Sequence, residues 1–336
     1  MNITKEEILK ALSYVDDPDL KKDLVTLNMI QNIEIEGKTI RFDLVLTTPA
    51  CPLKDSIANA CKTAVITMVD KDADVQINIT SNVQRSRENN TVLGSVKNII
   101  AVASGKGGVG KSTVAINLAK TLQKAGAKVG ILDADIHGPS IPVLLNVDSE
   151  KPQMNGNLMV PIQSDGVKTM SIGYLVEKKQ ALVWRGPMLS KAISQFCTDV
   201  DWGDLDYLFI DLPPGTGDVH LSIIQQIPLS GVIIVTTPED VAVSDTRKAI
   251  DMFTNPQLKQ NILGVVENMS FFEPEVGKKY YIFGKEGGAK LSKEWDVDLL
   301  GELPILEDKS FSNQHKNYLP IVGQIVQKLS VLAANT

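Results

Sequence analysis

The stretch Gly105-Lys106-Gly107-Gly108-Val109-Gly110-Lys111-Ser112-Thr113 decides how the rest of this 336-residue chain is read. It fits the pattern G-x-x-x-x-G-K-[ST], between an apolar run (98–103) suited to a buried strand and a segment (112–125) with helical periodicity. Glycines at these positions let backbone N–H groups turn inward around phosphate oxygens, and the following helix adds the positive end of its dipole. Lys111 places a charge on the β- and γ-phosphates of a nucleotide, and the Ser112 hydroxyl is a ligand for Mg²⁺. Lys106 is not required by such a loop; on the residues alone it reads equally as a solvated loop lysine.

Beyond the loop, apolar strands alternate with amphipathic segments: strands at 128–133, 207–211, 231–236 and 262–266, and a helix at 240–253. The alternation predicts an α/β fold, a mostly parallel sheet with helices on both faces. The run Val129-Gly130-Ile131-Leu132 closes on Asp133-Ala134-Asp135, and Tyr207-Leu208-Phe209-Ile210 closes on Asp211. Acids at the carboxyl ends of parallel strands lie where ligands of such folds bind. Asp211 is so presented as to hold a metal beside the phosphate loop. The following Leu212-Pro213-Pro214-Gly215-Thr216-Gly217-Asp218, stiff and then flexible, suits a loop that senses a γ-phosphate. Taken singly, each aspartate reads more readily as a helix cap or loop residue than as a site residue; three strand-end acids behind one phosphate loop invert that reading.

The first 80 residues read as a separate small α+β unit. Thr4 and Glu7 form a capping box ahead of Ile8, Leu9, Leu12 and Val15 at helical spacing. Alternating runs around Ile33 and Ile35, then Ile40 to Leu46, meet near Gly37 as a hairpin. After the loop Thr47-Thr48-Pro49-Ala50-Cys51-Pro52, a second helix carries Leu53, Ile57, Cys61, Ala64 and Met68 on one face, and Val75, Ile77 and Ile79 alternate as a last strand. The polar, aperiodic residues 81–97 read as a linker, so the expected division is 1–80, 81–97 and 98–336. Forty acidic against 34 basic residues, a net charge of −6, argue against a nucleic-acid partner. No apolar run reaches the ~18 residues of a membrane span. The N-terminus, charged from its fifth residue, lacks the apolar core of a secretory leader, and three cysteines suit a reducing, cytoplasmic compartment.

The strings SGKGGVGKST (104–113), LDADIHGPSIP (132–142), WRGPM (184–188), DLDYLFIDLPPGTGD (204–218), TTPEDVA (236–242) and VENMS (266–270) together resemble the Mrp/ApbC family of iron–sulfur cluster carrier ATPases, whose phosphate loop is of the deviant MinD type. TTPACP (47–52) resembles the mark of the PaaD-like domain often fused ahead of it. The resemblance implies a P-loop NTPase domain behind a small α+β domain, with ATP and Mg²⁺ bound and ATP slowly hydrolysed. It assigns the nucleotide to Gly105, Lys106, Gly107, Gly108, Val109, Gly110, Lys111, Ser112, Thr113 and Asn268, with Asn268 meeting the adenine. It gives Asp135 the attacking water and Asp211 the Mg²⁺, and it sends Lys106 across a homodimer to the partner's nucleotide. Iron–sulfur assembly proteins or apoprotein clients are the implied partners.

One departure matters. The family's C-x-x-C, which in the dimer holds a bridging cluster, should fall in Phe271 to Gly284, and that stretch has no cysteine. Thiolates hold iron–sulfur clusters, so the usual site cannot form, and Glu273 and Glu275 read as solvated loop residues. Of the three cysteines, Cys61 and Cys197 read as helix packing. Cys51 is expected at or near the N-cap of a helix opened by Pro52, with Lys54 close by, where unpaired N–H groups favour a thiolate. Any cluster held there is expected to be shared and labile. The alternative, a positioning or partitioning switch of the MinD/ParA kind, wants a basic tail or patch, and the C-terminal segment reads instead as a packed helix.

Overall fold

The computed structural model describes residues 3–87, 92–135, 138–175, 186–307 and 311–335. Two compact units emerge, one of Met1–Ser86 with Val326–Thr336 and one of Arg87–Ile325.

The first unit holds α1 (Lys5–Leu12), the short pair β1 (Asp16–Asp17) and β2 (Lys22–Asp23), β3 (Ile30–Glu36), β4 (Thr39–Leu46), α2 (Lys54–Met68) and β5 (Asp74–Ser81). The capping box forms as the sequence predicts: Thr4 Oγ1 accepts from Glu7 N, and Glu7 Oε2 accepts from Thr4 N. β3 and β4 form the antiparallel hairpin, and β5 lies parallel to β4. Ile8 and Leu12 of α1, Ile57, Cys61 and Val65 of α2, and Ile40, Phe42 and Leu44 of β4 make one apolar core. Two details differ from the sequence reading. α2 starts at Lys54, two residues beyond Pro52, and Met68, expected on the buried face, is 49 % exposed because Val65 is the last inward position of that helix. The stretch read as a linker begins with structure: Asn82 N donates to Leu46 O, Val83 is buried, and Arg87 Nη2 donates to the carbonyls of Leu93 and Val96.

The second unit runs β6 (Val96–Ala103), α3 (Lys111–Lys124), β7 (Val129–Asp133), α4 (Ile141–Leu144), β8 (Gln153–Asn155), β9 (Leu158–Val160), β10 (Ile162–Ser164), β11 (Val167–Ser171), α5 (Gly186–Thr198), β12 (Leu205–Asp211), α6 (Asp218–Gln226), β13 (Gly231–Thr236), α7 (Asp240–Thr254), β14 (Ile262–Glu275), β15 (Lys278–Tyr280), α8 (Gly287–Trp295), β16 (Leu299–Ile305) and α9 (Phe311–Ala334), whose residues from Val326 onward count with the first unit. Nine strands form one sheet in the order β10-β11-β7-β12-β6-β13-β14-β15, with β16 also on β14. The seven strands other than the edge strands β10 and β15 pair in parallel. Parallel strands covered on both faces read as continuous apolar runs, and Ile99 to Ala103 of β6 are all fully buried. From β6 the chain crosses to β7, returns to β12 beside β6, and then passes over to β13. That reversal opens a crevice at the carboxyl end of β6, where the phosphate loop begins. WRGPM and LDADIHGPSIP fall partly outside the described residues, at 184–185 and 136–137.

Cys61 is fully buried in α2, with its thiol among apolar neighbours. Cys61→Ser puts a hydroxyl where no partner waits, at a cost of about 1–3 kcal/mol. A lowered thermal midpoint with unchanged nucleotide affinity is the expected result, read by calorimetry and by titration.

Candidate functional site

The phosphate loop is shaped by what glycine alone permits. A Cβ on Gly105 would overlap the backbone of Asp245 and Thr246 in α7, so the loop starts pressed against that helix. Gly108 and Gly110 both have φ of 83°, and a side chain on Gly110 would also overlap the Asn268 amide. Gly110 is the N-cap of α3, so Lys111, Ser112 and Thr113 form the helix's first turn. Lys111 is buried, and its Nζ donates to Asp211 Oδ1 at 2.5 Å. Lys106 is largely exposed, and its Nζ lies 3.3 Å from Glu239 Oε2 of the N-cap of α7. An exposed pair of this kind contributes little, about 0–1 kcal/mol, so it yields readily to a stronger anion.

Register brings the acids together. Ser171 of β11, Asp133 of β7 and Asp211 of β12 are neighbours at the ends of adjacent parallel strands. Asp133 is fully buried: Oδ2 accepts from Ser171 Oγ (2.9 Å) and Ile141 N (3.3 Å), and Oδ1 accepts from Asp135 N (3.2 Å). Burial, and then the charge of Asp211, pushes its pKa up to about 8. Burial also raises the Asp211 carboxyl above the ordinary value, against the pull of the Lys111 ammonium. The two buried carboxyls thus crowd each other, and Asp211 is the one that meets the Lys111 ammonium. Asp135 is half-buried, and its Oδ1 accepts from Gly138 N at 3.2 Å. Asp133 is thus the bracing acid, and Asp135 the one left at the mouth.

Asp211 Oδ2 is buried and has no hydrogen-bond partner. An unpartnered carboxylate oxygen beside the Ser112 hydroxyl is a hard-oxygen donor set, and that chemistry fits Mg²⁺. Among the described residues no group of three or more His, Cys, Asp or Glu could hold a metal ion by itself.

The loop after Asp211 lies against the phosphate loop. Gly215 N donates to Ser104 O at 2.8 Å, and Pro214 is the neighbour that a side chain on Gly107 would touch. His220, on the first turn of α6, is buried, and its Nε2 bonds Pro213 O at 2.8 Å. Since a carbonyl only accepts, Nε2 carries the hydrogen, and Nδ1 is left bare and without a partner. Burial holds this imidazole below the ordinary histidine value. The sequence reading passed over His220; its place two residues beyond the acid that ends the loop was the available signal.

Asn268 sits in β14 within reach of the loop, and its Nδ2 donates to Val109 O at 2.8 Å. Beside it opens a cavity of about 390 Å³, lined by Gly110, Thr113, Asn268 and Met269, by Ile282 and Phe283, by Leu303 to Leu306, and by Gln314, Asn317 and Tyr318. Its walls are mainly apolar and it abuts the phosphate loop, which suits a nucleobase. The residues of β16 and α9 in this wall carry no motif and were invisible in the sequence.

Cys61 and Cys197 are buried helix residues as expected, and the detail that changes is at Cys51. Cys51 lies two residues ahead of Leu53, the N-cap of α2, and its thiol faces the Leu53 N–H, but that donor does not outweigh burial. Burial pushes its thiol above the ordinary value, nearby Asp19 and Asp17 push the same way, and Lys54 offsets them only weakly. Cys61 and Cys197 are buried and pushed up to about 12. The segment at 271–284 is not a plain loop but the β14–β15 hairpin, where Glu273 Oε1 accepts from Gly277 N in the turn and Lys279 lies 3.8 Å over the Phe271 ring. Cys51 is the half-buried one of the three, so it should react first with iodoacetamide. With its thiol raised, the rate should keep climbing roughly tenfold per pH unit to beyond pH 9. A plateau below pH 8, followed by mass spectrometry, would contradict this environment.

Residues 95–330 match the family described as NUBPL iron-transfer P-loop NTPase (ParA), and residues 5–79 match the family described as iron-sulfur cluster assembly protein. The iron-sulfur cluster carrier protein of Synechocystis sp. is 46 % identical over 311 residues, covering 90 % of this chain and 87 % of that protein. That of Deinococcus radiodurans is 47 % identical over 302 residues, covering 89 % and 84 %. Among solved structures, a nucleotide-binding protein from Archaeoglobus fulgidus in complex with ADP is 39 % identical, with a TM-score of 0.57 over 70 % of this chain and 89 % of that one. A match across the phosphate loop, the strand-end acids and most of the remaining length has one consequence: this chain belongs to the NUBPL iron-transfer P-loop NTPase family and carries an iron–sulfur cluster assembly domain ahead of the NTPase.

Proposed function

We propose that this protein binds ATP with Mg²⁺, hydrolyses it slowly, and uses the cycle to assist assembly or transfer of iron–sulfur clusters to apoproteins. The observation that carries the reading is the buried Lys111–Asp211 pair with its unpartnered Oδ2. Lys111 Nζ exchanges Asp211 Oδ1 for phosphate oxygens as the nucleotide enters, and Asp211 is then free to hold the metal with Ser112. Mg²⁺, when bound, neutralises charge on the β- and γ-phosphates. Asp135, at the open end of the acid cluster, orients or deprotonates the attacking water, while Asp133 holds its backbone in place. Backbone N–H groups from Gly105 to Thr113 cradle the phosphates, and Asn268 faces the base. In a two-fold dimer with phosphate loops face to face, Lys106 leaves Glu239 and stabilises the charge on the partner's γ-phosphate.

The iron–sulfur role rests on relatives named iron-sulfur cluster carrier proteins. The cluster is cargo. With one half-buried thiol per chain, a homodimer offers two ligands where a cluster generally wants four. Cys51 therefore shares its cluster with a partner protein or small thiols, and the cluster is labile. The matched spans 5–79 and 95–330 support a division into a small domain (1–80), a connecting stretch (81–97) and an ATPase domain (98–336). A cytoplasmic site of action suits three unpaired cysteines. A membrane-positioning switch is disfavoured, because α9 buries Ile321, Val322, Ile325 and Leu329 rather than presenting them.

Phosphate release from ATP should be abolished in Lys111→Ala with loss of binding, and in Asp135→Ala with binding retained. Lys106→Ala should bind ATP but turn over at least tenfold more slowly and fail to dimerise with ATP in analytical ultracentrifugation. Equal rates in all four proteins would remove the assignment. After anaerobic reconstitution, Cys51→Ser should carry no iron while its ATPase is unchanged; iron retained there would point to other ligands.

A further inference from the structure

The cavity beside the phosphate loop presents a base with very few free polar groups. Asn268 spends its Nδ2 on Val109 O (2.8 Å), which fixes its orientation and leaves its carbonyl as a directed acceptor. Gln314 is committed as well, its Oε1 accepting from Asn117 Nδ2 at 2.9 Å. Asn317, one helical turn further along α9 and on the same face, is different: it lines the cavity, is half-buried, and makes no hydrogen bond to any described residue. An uncommitted carboxamide on an otherwise apolar wall is a group waiting for a ligand's hydrogen bonds.

We propose that Asn317 is a base-reading residue of the nucleotide site, its carboxamide pairing with the edge of adenine while Asn268 supplies the fixed acceptor. This rests on the assignment of the phosphate loop to ATP. Adenine offers an N6–H donor next to an N1 acceptor, and a carboxamide matches both with Oδ1 and Nδ2. A carboxamide can turn over to serve guanine too, so the choice between purines needs the pinned Asn268, whose carbonyl accepts from N6–H and repels the guanine O6. A carboxylate at position 317 reverses the preference. It accepts from the N1–H and N2–H donors of guanine and repels the bare N1 of adenine.

The test is calorimetric titration of the full-length protein with Mg-ATP and Mg-GTP, for wild type, Asn317→Ala, Asn317→Asp and Lys111→Ala. Asn317→Ala should bind ATP about tenfold more weakly, the loss of one to two net hydrogen bonds. Asn317→Asp should lose ATP affinity and gain GTP affinity, shifting the ATP:GTP ratio by at least tenfold toward guanine, which a merely structural residue would not do. Asparagine variants with wild-type ATP affinity and an unchanged ratio would overturn the proposal while leaving the phosphate loop untouched. Wild-type affinity in Lys111→Ala would instead overturn the phosphate-loop assignment. Thermal unfolding of each variant controls for folding, and Asn317→Gln, which keeps the carboxamide, should retain the preference for adenine.

Discussion

The ammonium of Lys111 and the carboxylate of Asp211 meet in a place that water does not reach, and the nucleotide site is arranged around that contact. Lys111 is buried because it occupies the first turn of α3, directly behind a loop that glycine folds tightly onto α7. Asp211 is buried because β12 lies beside β6 in parallel, with Asp211 opposite Val102 two residues before the loop departs. Removing either partner of such a pair leaves an uncompensated interior charge, typically a cost of 3–5 kcal/mol. The pair is tolerable in the absence of a nucleotide because each group neutralises the other.

The neighbouring acids follow from the same constraint. A second carboxyl on the adjacent strand end is costly to charge beside Asp211, so its pKa is raised, and Asp133 is held there by three donors, Ser171 Oγ, Ile141 N and Asp135 N. It thereby ties β11, the start of α4 and the backbone of Asp135 to one point. The opposite side of the loop is braced by Gly215 on Ser104 and by His220 on Pro213. These tethers run through backbone carbonyls and N–H groups, which hold position without adding charge to an already crowded site.

Sulfur chemistry is sparse by comparison. Two of the three cysteines are core residues, and Cys51 is half-buried, with two aspartates nearer in effect than its lysine. In place of the cysteine pair that the resemblance implies, this stretch is a hairpin of glutamates, lysines and aromatic rings. Hard donors and cation–π contacts support a protein surface, not a cluster.

Sequence alone determined the features that depend on local geometry. The glycine-rich run from Gly105 turns into the first turn of a helix, apolar runs of five or six residues between helical segments form buried parallel strands, and Thr4 with Glu7 starts a helix. Asp211 and Asp135 were legible because strand ends are read from hydrophobic runs. What tertiary structure decided lies in contacts between residues far apart along the chain. Lys111 and Asp211 are 100 residues apart, and Asn268 and Val109 are 159 apart, so neither pairing leaves a trace in any local window. The Asp133 carboxyl and the Cys51 thiol are raised only once neighbours from other elements displace water around them. Asn317 has no motif of its own; its meaning comes from the packing of α9 against β14 and β16 around one cavity. Covalent spacing fixes backbone geometry, whereas burial and charge are properties of the assembled neighbourhood.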